Sequence, residues 1–270
     1  MDFSFVMLTW NRPRFLDASL TSLSSNIAHR DRCEILVLDN GSDQPTRDVL
    51  SRHAGQQNVR VITLEENEGL QAYHRLFAAA KGKYIVVVDD DVLEFPPDLD
   101  LVFDQYMTAF PDYGFLCLNV VQNEHTDGAK PPADAYSPDV RGDLTVERGP
   151  AGGWCACFRR RHHTLLKPLI RRRALSMASG EDGMLSTVFA KYLRKKHGVI
   201  RDHLCFHASG PYYAAQHGHL DREIEKYEAV GLTDFVTAYE TYRDTGQGQR
   251  SDDNRGDHHP SEPGGPDHGA

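Results

Sequence analysis

The sequence predicts an α/β fold built on one mostly parallel sheet of Rossmann-like type, with helices on both faces. Four short runs are almost continuously apolar and rich in β-branched residues: FSFVML, EILVLD, VRVITL and YIVVVD, at 3–8, 34–39, 59–64 and 84–89. Such runs are typical of strands that are covered on both faces of a parallel sheet. Helical patterns separate the runs, and this alternation favours right-handed crossovers within one sheet.

Three helices are predicted between these strands. Residues 13–27 begin with Pro13, which suits a first helical turn, and then repeat apolar residues along one face. Residues 45–54 and 69–82 continue the alternation. Gly82 is a plausible C′ residue, so we expect it to end the third helix.

The second half of the chain begins with a fifth predicted strand, GFLCLNVV, at 114–121. Residues 122–150 are polar and rich in Pro, Gly and Asp, which predicts a long loop. This loop is either a lid that orders when a ligand binds or a passive insertion.

A further helix is predicted for residues 179–198, which carry an apolar stripe. Ser179 and Asp182 have the spacing of a capping box, with aspartate in place of the usual glutamate or glutamine. Gly198 would end this helix. From Gly246 onward the chain has almost no apolar residues, which predicts a disordered tail.

The totals are those of a globular protein without membrane spans. The chain has 270 residues, 40% of them hydrophobic and 26% charged, and its formal charge of −9 argues against general nucleic-acid binding. No apolar run approaches the roughly 20 residues of a membrane helix, and the N-terminus lacks the basic region of a signal peptide. The five scattered cysteines, with only Cys155 and Cys157 close together, predict reduced thiols in a cytoplasmic protein.

Polar residues follow three of the predicted strands at their carboxyl ends. The first strand leads into Thr9–Arg12, the second into Asp39 and the fourth into Asp89–Asp91. In a parallel sheet these ends lie along one rim, which is where α/β proteins bind ligands. We therefore expect the three aspartates to stand beside a ligand rather than in the core.

A block of three carboxylates suits Mg²⁺ or Mn²⁺, which prefer oxygen ligands and often share them with phosphates. Residues two apart on an extended segment point the same way, so Asp89 and Asp91 would face the ion while Asp90 turns aside. Acids after a strand can also cap a helix or form a solvated turn. Three in succession after a buried strand, with Asp39 on the same rim, favour the ion.

These motifs resemble family 2 of the glycosyltransferases, which has the GT-A fold. The resemblance is carried in order by FVMLTWNRP, ILVLDNGSDQPT, NEGLQAYHRLFAAAKGKYIVVVDDDV, GGWCACFRR and GEDGML, and it covers residues 3–210. It implies an inverting glycosyltransferase of hexosyltransferase type that uses Mn²⁺ or Mg²⁺. The donor would be a nucleoside-diphosphate sugar, by family habit a UDP- or dTDP-sugar, with a guanosine nucleotide as the alternative. The acceptor would be a hydroxyl on a saccharide, a lipid-linked molecule or a small molecule.

The resemblance also implies roles for individual residues. The segments by which the family binds the nucleobase and the sugar of the donor have counterparts in this sequence, and so does its metal-binding motif. Asp182 would be the catalytic base, and Glu181, the alternative candidate for that role, would contact the acceptor. Independently of the resemblance, Trp154 beside glycines offers a flat aromatic face for the sugar ring of an acceptor or a donor. Donor binding would involve Thr9, Asn11, Arg12, Asp39, Gly69, Asp89 and Asp90, and the metal would be held by Asp91 and His207.

Three of these assignments have a structural alternative. Asp182 at a helix N-terminus is either a base held ionised by the helix dipole or a capping carboxylate. Trp154, among glycines, is either a platform for a sugar ring or a core residue beside a tight turn. His207 is either a metal ligand or a packed, hydrogen-bonded histidine.

We expect one domain in two halves, followed by the tail. Residues 1–120 would bind the nucleotide sugar, 121–244 would bind the acceptor and carry the base, and 245–270 would be disordered. One alternative is a nucleotidyltransferase that makes the nucleotide sugar, although TWNRPRF lacks the glycines of its usual phosphate loop. Another is a non-catalytic nucleotide-sugar binding protein, which would have no need of a base.

A basic cluster lies between residues 159 and 201, where twelve Lys and Arg residues are opposed by only two acids. It is either a solvated surface or a surface that attracts an anionic acceptor or the acidic inner face of a membrane. The second interpretation predicts a cytoplasmic protein with peripheral membrane contact.

Overall fold

The computed structural model describes residues 1–56, 58–127, 130–173, 175 and 180–246. The predicted tail beyond residue 246 and the predicted cap residue Ser179 lie outside the described residues.

The first four strands form the parallel part of one sheet, as the sequence predicts. Their order across the sheet is β3-β2-β1-β4. The central strand β1 pairs with β2 from Phe3 to Thr9 and with β4 from Phe3 to Val6. The strands are β1 (Phe3–Thr9), β2 (Cys33–Asp39), β3 (Val59–Thr63) and β4 (Tyr84–Val88).

The later strands complete the sheet in a mixed arrangement. They are β5 (Val92–Glu94), β6 (Tyr113–Val120), β7 (Ser137–Arg141), β8 (Leu144–Arg148), β9 (Cys155–Arg159) and β10 (Lys196–His207). Strand β9 lies antiparallel between β4 and β6, and β10 runs parallel to β6. The short β5 pairs with the end of β10. In the part of the chain that the structure describes, parallel pairing is therefore confined to the first four strands and to β6 with β10.

Nine α-helices occur in the described residues, and the four predicted ones are among them. Helix α3 packs on β1 and β2, whereas α6 packs on β6 and β10. The helices are α1 (Pro13–Ser25), α2 (Gln44–His53), α3 (Tyr73–Ala79), α4 (Leu99–Ala109), α5 (Arg160–Ile170), α6 (Glu181–Leu193), α7 (Pro211–Gln216), α8 (Leu220–Ala229) and α9 (Thr233–Thr245).

Two predicted boundaries of α6 are wrong. The helix begins at Glu181 with Gly180 as its N-cap, in place of the predicted capping box. It ends at Leu193, and Gly198 lies within β10 instead of terminating the helix. A Cβ on Gly198 would lie 2.5 Å from the carbonyl oxygen of Glu147 on β8. The glycine is therefore explained by close strand packing, which a helix-stop pattern does not distinguish.

The predicted long loop is also partly wrong. Within 122–150, strands β7 and β8 form an antiparallel hairpin whose second strand pairs with β10 at the sheet edge. The alternating exposed and half-buried residues of β7 resemble a polar loop in composition, because only one face of the hairpin is covered.

The core lies around the central strands of the sheet. Phe5, Val6, Val86 and Val87 are completely buried. All five cysteines are buried and free, in agreement with the predicted reduced thiols. Among the described residues, every helix is too short or too polar to cross a membrane.

Gly82 is needed for a close backbone approach rather than for a helix stop. Helix α3 ends at Ala79 with Ala80 as its C-cap, so Gly82 is not the C′ residue. The Gly82 N–H donates to Ser4 Oγ at 2.7 Å. A Cβ at Gly82 would lie 2.5 Å from the Ser4 nitrogen and 2.6 Å from the Phe3 carbonyl carbon. The chain entering β4 therefore touches β1 where no side chain fits.

We expect Gly82→Ala to lower the free energy of unfolding by about 2 to 3 kcal/mol, because the added methyl group forces two packed backbones apart. Gly55→Ala is the matched control, since its Cβ would be no closer than 4.0 Å to a neighbouring atom. It should change stability by less than about 0.5 kcal/mol. Urea unfolding of both variants provides the measurement, and equal stabilities would contradict the close approach.

A buried histidine on α5 links stability to pH. His163 is 3% exposed, and its ring centroid lies 5.2 Å from that of Phe77 and 6.3 Å from that of Phe158. Burial lowers the pKa of His163 to about 4, and the nearby charges of Lys167 and His74 act in the same direction. The imidazole is therefore neutral in the folded chain at neutral pH.

As the pH falls, the unfolded chain takes up this proton before the folded chain does, because its pKa for His163 is higher. The contribution of neutral His163 to the free energy of unfolding is therefore complete above pH 6.5 and is lost as the pH falls towards 4. The loss should reach up to about 3 kcal/mol in the wild type. His163→Phe keeps the aromatic contacts and should reduce the pH dependence between pH 6.5 and 4, to which His162 and His219 still contribute because burial also lowers their pKa values to about 4. The non-titrating control Thr164→Val should keep the wild-type slope in urea unfolding, and a His163→Phe slope equal to it would contradict the assignment.

Candidate active site

The three aspartates after β4 point in two directions, Asp90 in one and Asp89 with Asp91 in the other. Asp90 and Asp91 are 4% and 7% exposed, and Asp89 is half-buried. Asp90 turns towards β1, where Thr9 Oγ1 donates to its Oδ2 at 2.7 Å. Asp89 and Asp91 instead converge with His207, each offering one ligand atom within 4.8 Å of the others. The alternation expected from an extended segment is therefore present.

The donor atoms fit a divalent cation. His207 Nε2 lies 3.0 Å from Asp91 Oδ1 and 3.8 Å from Asp89 Oδ2. Asp91 Oδ1 is buried and has no hydrogen bond of good geometry. Two carboxylate oxygens and one imidazole nitrogen, with one carboxylate oxygen unsatisfied, suit an ion such as Mn²⁺ or Mg²⁺ that completes its shell with other oxygens.

The electrostatics of this group are set by burial and by one arginine. Burial raises the pKa of Asp89 to about 7, and Asp91 and Asp90 add to the rise while His207 opposes it. Burial also acts to raise the pKa of Asp91, but Arg12 and His207 outweigh it and hold that pKa well below its usual value. Asp91 is therefore the permanently ionised member of the group.

Arg12, the N-cap residue of α1, contacts three carboxylates. Its guanidinium pairs with Asp90 Oδ1 at 2.5 Å and with Asp91 Oδ2 at 2.7 Å. Its Nε lies 3.1 Å from Glu223 Oε1 on α8. Arg12 thus connects the strand-end aspartates to the C-terminal helices.

The other predicted donor-binding residues lie at or after the carboxyl ends of β1, β2 and β3. Asp39 is completely buried; its Oδ1 accepts from the Ser42 N–H at 2.8 Å, and its Oδ2 has no hydrogen bond. Asn11 adopts a left-handed φ of 52° and accepts from the Asp43 N–H at 2.8 Å, so its amide shapes the loop. Gly69 has a φ of 59°.

A cavity of about 620 Å³ lies along this rim. It brings together seven of the predicted residues, whereas Asn11, Asp39, Trp154, Glu181 and Asp182 lie outside its lining. Those that line it are Thr9, Arg12, Gly69, Asp89, Asp90, Asp91 and His207.

Glu181 and Asp182 begin α6 and lie close to the same group. Burial raises the pKa of Glu181 well above its usual value, and Asp89 and Asp182 add to the effect. A Cβ at Gly153 would lie 2.7 Å from Glu181 Oε1, so the glycine leaves space for this carboxyl group. Asp182 is half-buried and its Oδ1 accepts from the Gly183 N–H at 2.6 Å. The arrangement provides one buried carboxyl group with a raised pKa and one half-buried carboxyl group.

Trp154 is placed as a support for the site. It is 8% exposed, and its indole N–H donates to the Leu118 carbonyl at 2.9 Å. Its own carbonyl accepts from the Asp89 N–H at 3.0 Å, and its ring lies 6.3 Å from that of His207. This burial favours the core alternative over an open platform, and acceptor contact by Trp154 stays a prediction.

Helix α8 contributes charged side chains to the cavity that the sequence does not predict. Arg222, Glu223 and Lys226 line the cavity, although they lie about 130 residues after the aspartates in a region without a recognisable pattern. The i, i+1, i+4 spacing of these charges is common on solvated helices, so it carried no usable signal.

Comparisons with known proteins agree with this geometry. An uncharacterized glycosyltransferase of Methanocaldococcus jannaschii is 30% identical over 42% of this chain and 39% of its own length. The structure of residues 1–349 of Staphylococcus aureus TarS matches 90% of this chain and 71% of that one, with a TM-score of 0.58 and 16% identity. A mannosyltransferase of Pyrobaculum calidifontis, in complex with GDP-Man and Mn²⁺, matches 89% and 69%, with a TM-score of 0.57 and 17% identity.

These matches confirm the GT-A fold, although the matched regions cover only part of the sequence relatives. The chain spans 39% of the M. jannaschii relative and 16% of the curated TarS sequence, poly(ribitol-phosphate) β-N-acetylglucosaminyltransferase. The model of the family described as glycosyl transferase family 2 matches residues 4–161, more than half of the chain. With the strand-end aspartates and His207 assembled at the rim of this fold, the chain belongs to glycosyl transferase family 2.

Proposed function

We propose that the chain is a metal-dependent, inverting enzyme that transfers a sugar from a nucleoside-diphosphate sugar to a hydroxyl acceptor. The observation that carries this proposal is the convergence of Asp89, Asp91 and His207 within 4.8 Å at the edge of the rim cavity. TarS in complex with UDP-GlcNAc and the mannosyltransferase with GDP-Man and Mn²⁺ support a nucleotide-sugar donor and a divalent cation. The preference for a UDP- or dTDP-sugar stays a prediction.

Asp91 and His207, joined by Asp89, would hold the ion. When bound, a divalent cation supplies positive charge that stabilises the departing diphosphate. Thr9 and Arg12 fix Asp90 on the other side, which leaves the faces of Asp89 and Asp91 directed towards His207.

The donor would lie across the rim from the buried Asp39 to the aspartates. Asp39 Oδ2 is buried without a hydrogen bond and could accept from an N–H of the nucleobase. Asn11 would act indirectly by fixing the loop that follows β1, while Gly69 leaves open space, since a Cβ there would meet no atom within 4 Å.

Asp182 would take the proton of the acceptor hydroxyl as that oxygen bonds to the anomeric carbon. The bond from the anomeric carbon to the diphosphate oxygen breaks on the opposite face, so the configuration inverts. Burial raises the pKa of Glu181 well above its usual value, and in its protonated form Glu181 would donate a hydrogen bond to the sugar or the acceptor. In this assignment residues 1–120 hold the donor and 121–244 contribute the base, although both halves share one sheet.

The two alternative functions receive less support. A nucleotidyltransferase would need a phosphate-binding loop after β1, but Asn11 and Arg12 in that segment are engaged with Asp43 and the aspartates. A non-catalytic binder would not need the pair of carboxyl groups that α6 places beside Asp89.

A combined binding and turnover measurement tests the proposal. At a hundredfold excess over its Kd, the correct nucleotide sugar with Mn²⁺ should stabilise the wild type by about 2 to 3 kcal/mol in a thermal-shift panel. Asp91→Ala should abolish the Mn²⁺-dependent part of this shift. Asp182→Asn should keep the shift but lower turnover by about 10²- to 10⁴-fold, because only proton transfer is lost.

Asp143→Asn, an exposed change in the β7–β8 turn, is the control and should behave as wild type. If no nucleotide sugar stabilises the wild type with or without Mn²⁺, the donor assignment is wrong. Undiminished turnover by Asp182→Asn would remove Asp182 as the base.

We also infer a contact with anionic surfaces for part of the basic cluster. Arg159 is buried and donates to the carbonyls of Tyr113 and Met107, and Lys196 pairs with Asp112 and Asp139, so these two do not belong to such a surface. The twelve cations therefore do not form a single face.

The surface consists instead of the exposed side of α5 and the residues directly after it. Arg161, Arg171, Arg172 and Arg173 are exposed, and Leu165 is 68% exposed on the same helix. Within the described part of the chain these arginines have no ion-pair partner. A cytoplasmic location with peripheral membrane contact stays the prediction that this surface supports.

Sedimentation with vesicles tests the contact. The chain should bind phosphatidylserine vesicles at low salt and be released at high salt, because each basic residue near the surface contributes about 1 kcal/mol that salt screens. Replacing Arg171, Arg172 and Arg173 together by alanine should release most of the protein. Neutral phosphatidylcholine vesicles are the control, and equal binding to them would refute an electrostatic contact.

A further inference from the structure

Helix α8 places a buried carboxylate beside the donor side of the cavity. Glu223 is 2% exposed and contacts three cations. Its Oε1 lies 3.1 Å from Arg12 Nε and also pairs with Arg222, while Lys226 pairs with Oε2. Helix α8 lies outside residues 4–161, which the family model matches.

Arg12 connects this carboxylate to the residues that would hold the cation. Its NH2 group bonds to Asp91 Oδ2 at 2.7 Å, while the other oxygen of Asp91 faces His207 Nε2 at 3.0 Å. A guanidinium in this position orients Asp91, but it also repels a divalent cation that approaches the same carboxylate.

Glu223 offsets that repulsion. Burial acts to raise the pKa of Glu223, but Arg12, Lys226 and Arg222 lower it to about 2, so the carboxylate is ionised at neutral pH. Without its charge, three cationic side chains would face one cavity, and Arg12 would lose the ion pair of its Nε with α8.

We propose that Glu223 is a positioning residue, which anchors Arg12 on Asp90 and Asp91 Oδ2 and so leaves Asp91 Oδ1 free for the divalent cation. This inference rests on the metal dependence proposed above. It requires opposite effects on two ligands. Loss of the negative charge weakens the binding of a cation, whereas Arg12, Arg222 and Lys226 then attract a metal-free diphosphate more strongly.

Calorimetric titration with two simple probes tests the inference. Mn²⁺ alone should bind Glu223→Gln about tenfold or more weakly than wild type, in the range of outer-shell substitutions at metal sites. Inorganic pyrophosphate in metal-free buffer should bind Glu223→Gln at least as tightly as wild type. A general loss of structure would instead weaken both. Glu225→Gln, an exposed change on the same helix, is the matched control and should leave both affinities unchanged.

A second comparison shows whether the effect passes through Arg12. In an Arg12→Met background, Glu223→Gln should change the Mn²⁺ affinity much less than in wild type, because contacting partners couple. Should Glu223→Gln not fold, Glu223→Asp, whose shorter side chain withdraws the carboxylate from Arg12 Nε, should still bind Mn²⁺ more weakly than wild type, by less than about tenfold.

Unchanged Mn²⁺ affinity in Glu223→Gln, a parallel loss of pyrophosphate binding, or equal Mn²⁺ losses in both backgrounds would overturn the role of Glu223. Unchanged Mn²⁺ affinity in Glu223→Asp would overturn it if that variant is the one that folds. A wild type that binds no Mn²⁺ at all would overturn the proposed metal dependence itself, together with this inference. The two failures are therefore distinguishable.

Discussion

The site depends on three consecutive carboxylates, two buried and one half-buried, at the end of an inner strand. Desolvated charges of one sign repel each other and are tolerated only when opposite charge or hydrogen bonds compensate them. Here Thr9 and Arg12 compensate Asp90, and Arg12 and His207 compensate Asp91. Among the described residues, Asp89 pairs only with the more distant His207. Burial therefore raises the pKa of Asp89, and that single cation does not offset the rise. Asp89 is therefore the carboxylate of the three that lacks a close positive charge.

The compensation comes from distant parts of the chain, which makes the fold and the site mutually dependent. Arg12 begins α1, His207 ends β10, and Glu223 lies on α8. The sheet brings Arg12 and His207 to one rim through two pairings. Strand β1 pairs with β4, and β5, which directly follows the aspartates, pairs with the end of β10. Helix α8 contacts that rim through the ion pair of Glu223 with Arg12, while its apolar contacts are with α7 and α9.

Much of the first half and of the site could be predicted from local sequence. The buried runs, their polar ends and the strand-end aspartates are contiguous signals, and the strand alternation separated Asp90 from Asp89 and Asp91. Strand β9 was missed because Gly153 and Trp154 beside it resemble a turn, and its pairing with β4 is a long-range contact. Gly198 was misassigned because a glycine that permits close strand packing has the same letter as one that ends a helix. The role of Glu223 depends on tertiary contacts and has no local signature.

The position of β9 and β10 has a consequence for how much chain is needed to make a stable unit. The strand that joins the two parts of the sheet, β9, is synthesised about 70 residues after its partner β4, and β10 is made still later. A fragment that ended at residue 161, the limit of the family match, would contain β9 but would leave one edge of β6 unpaired and open to association with other chains. It would also lack His207. The shortest autonomous unit of this protein therefore extends well past the region by which its family is recognised.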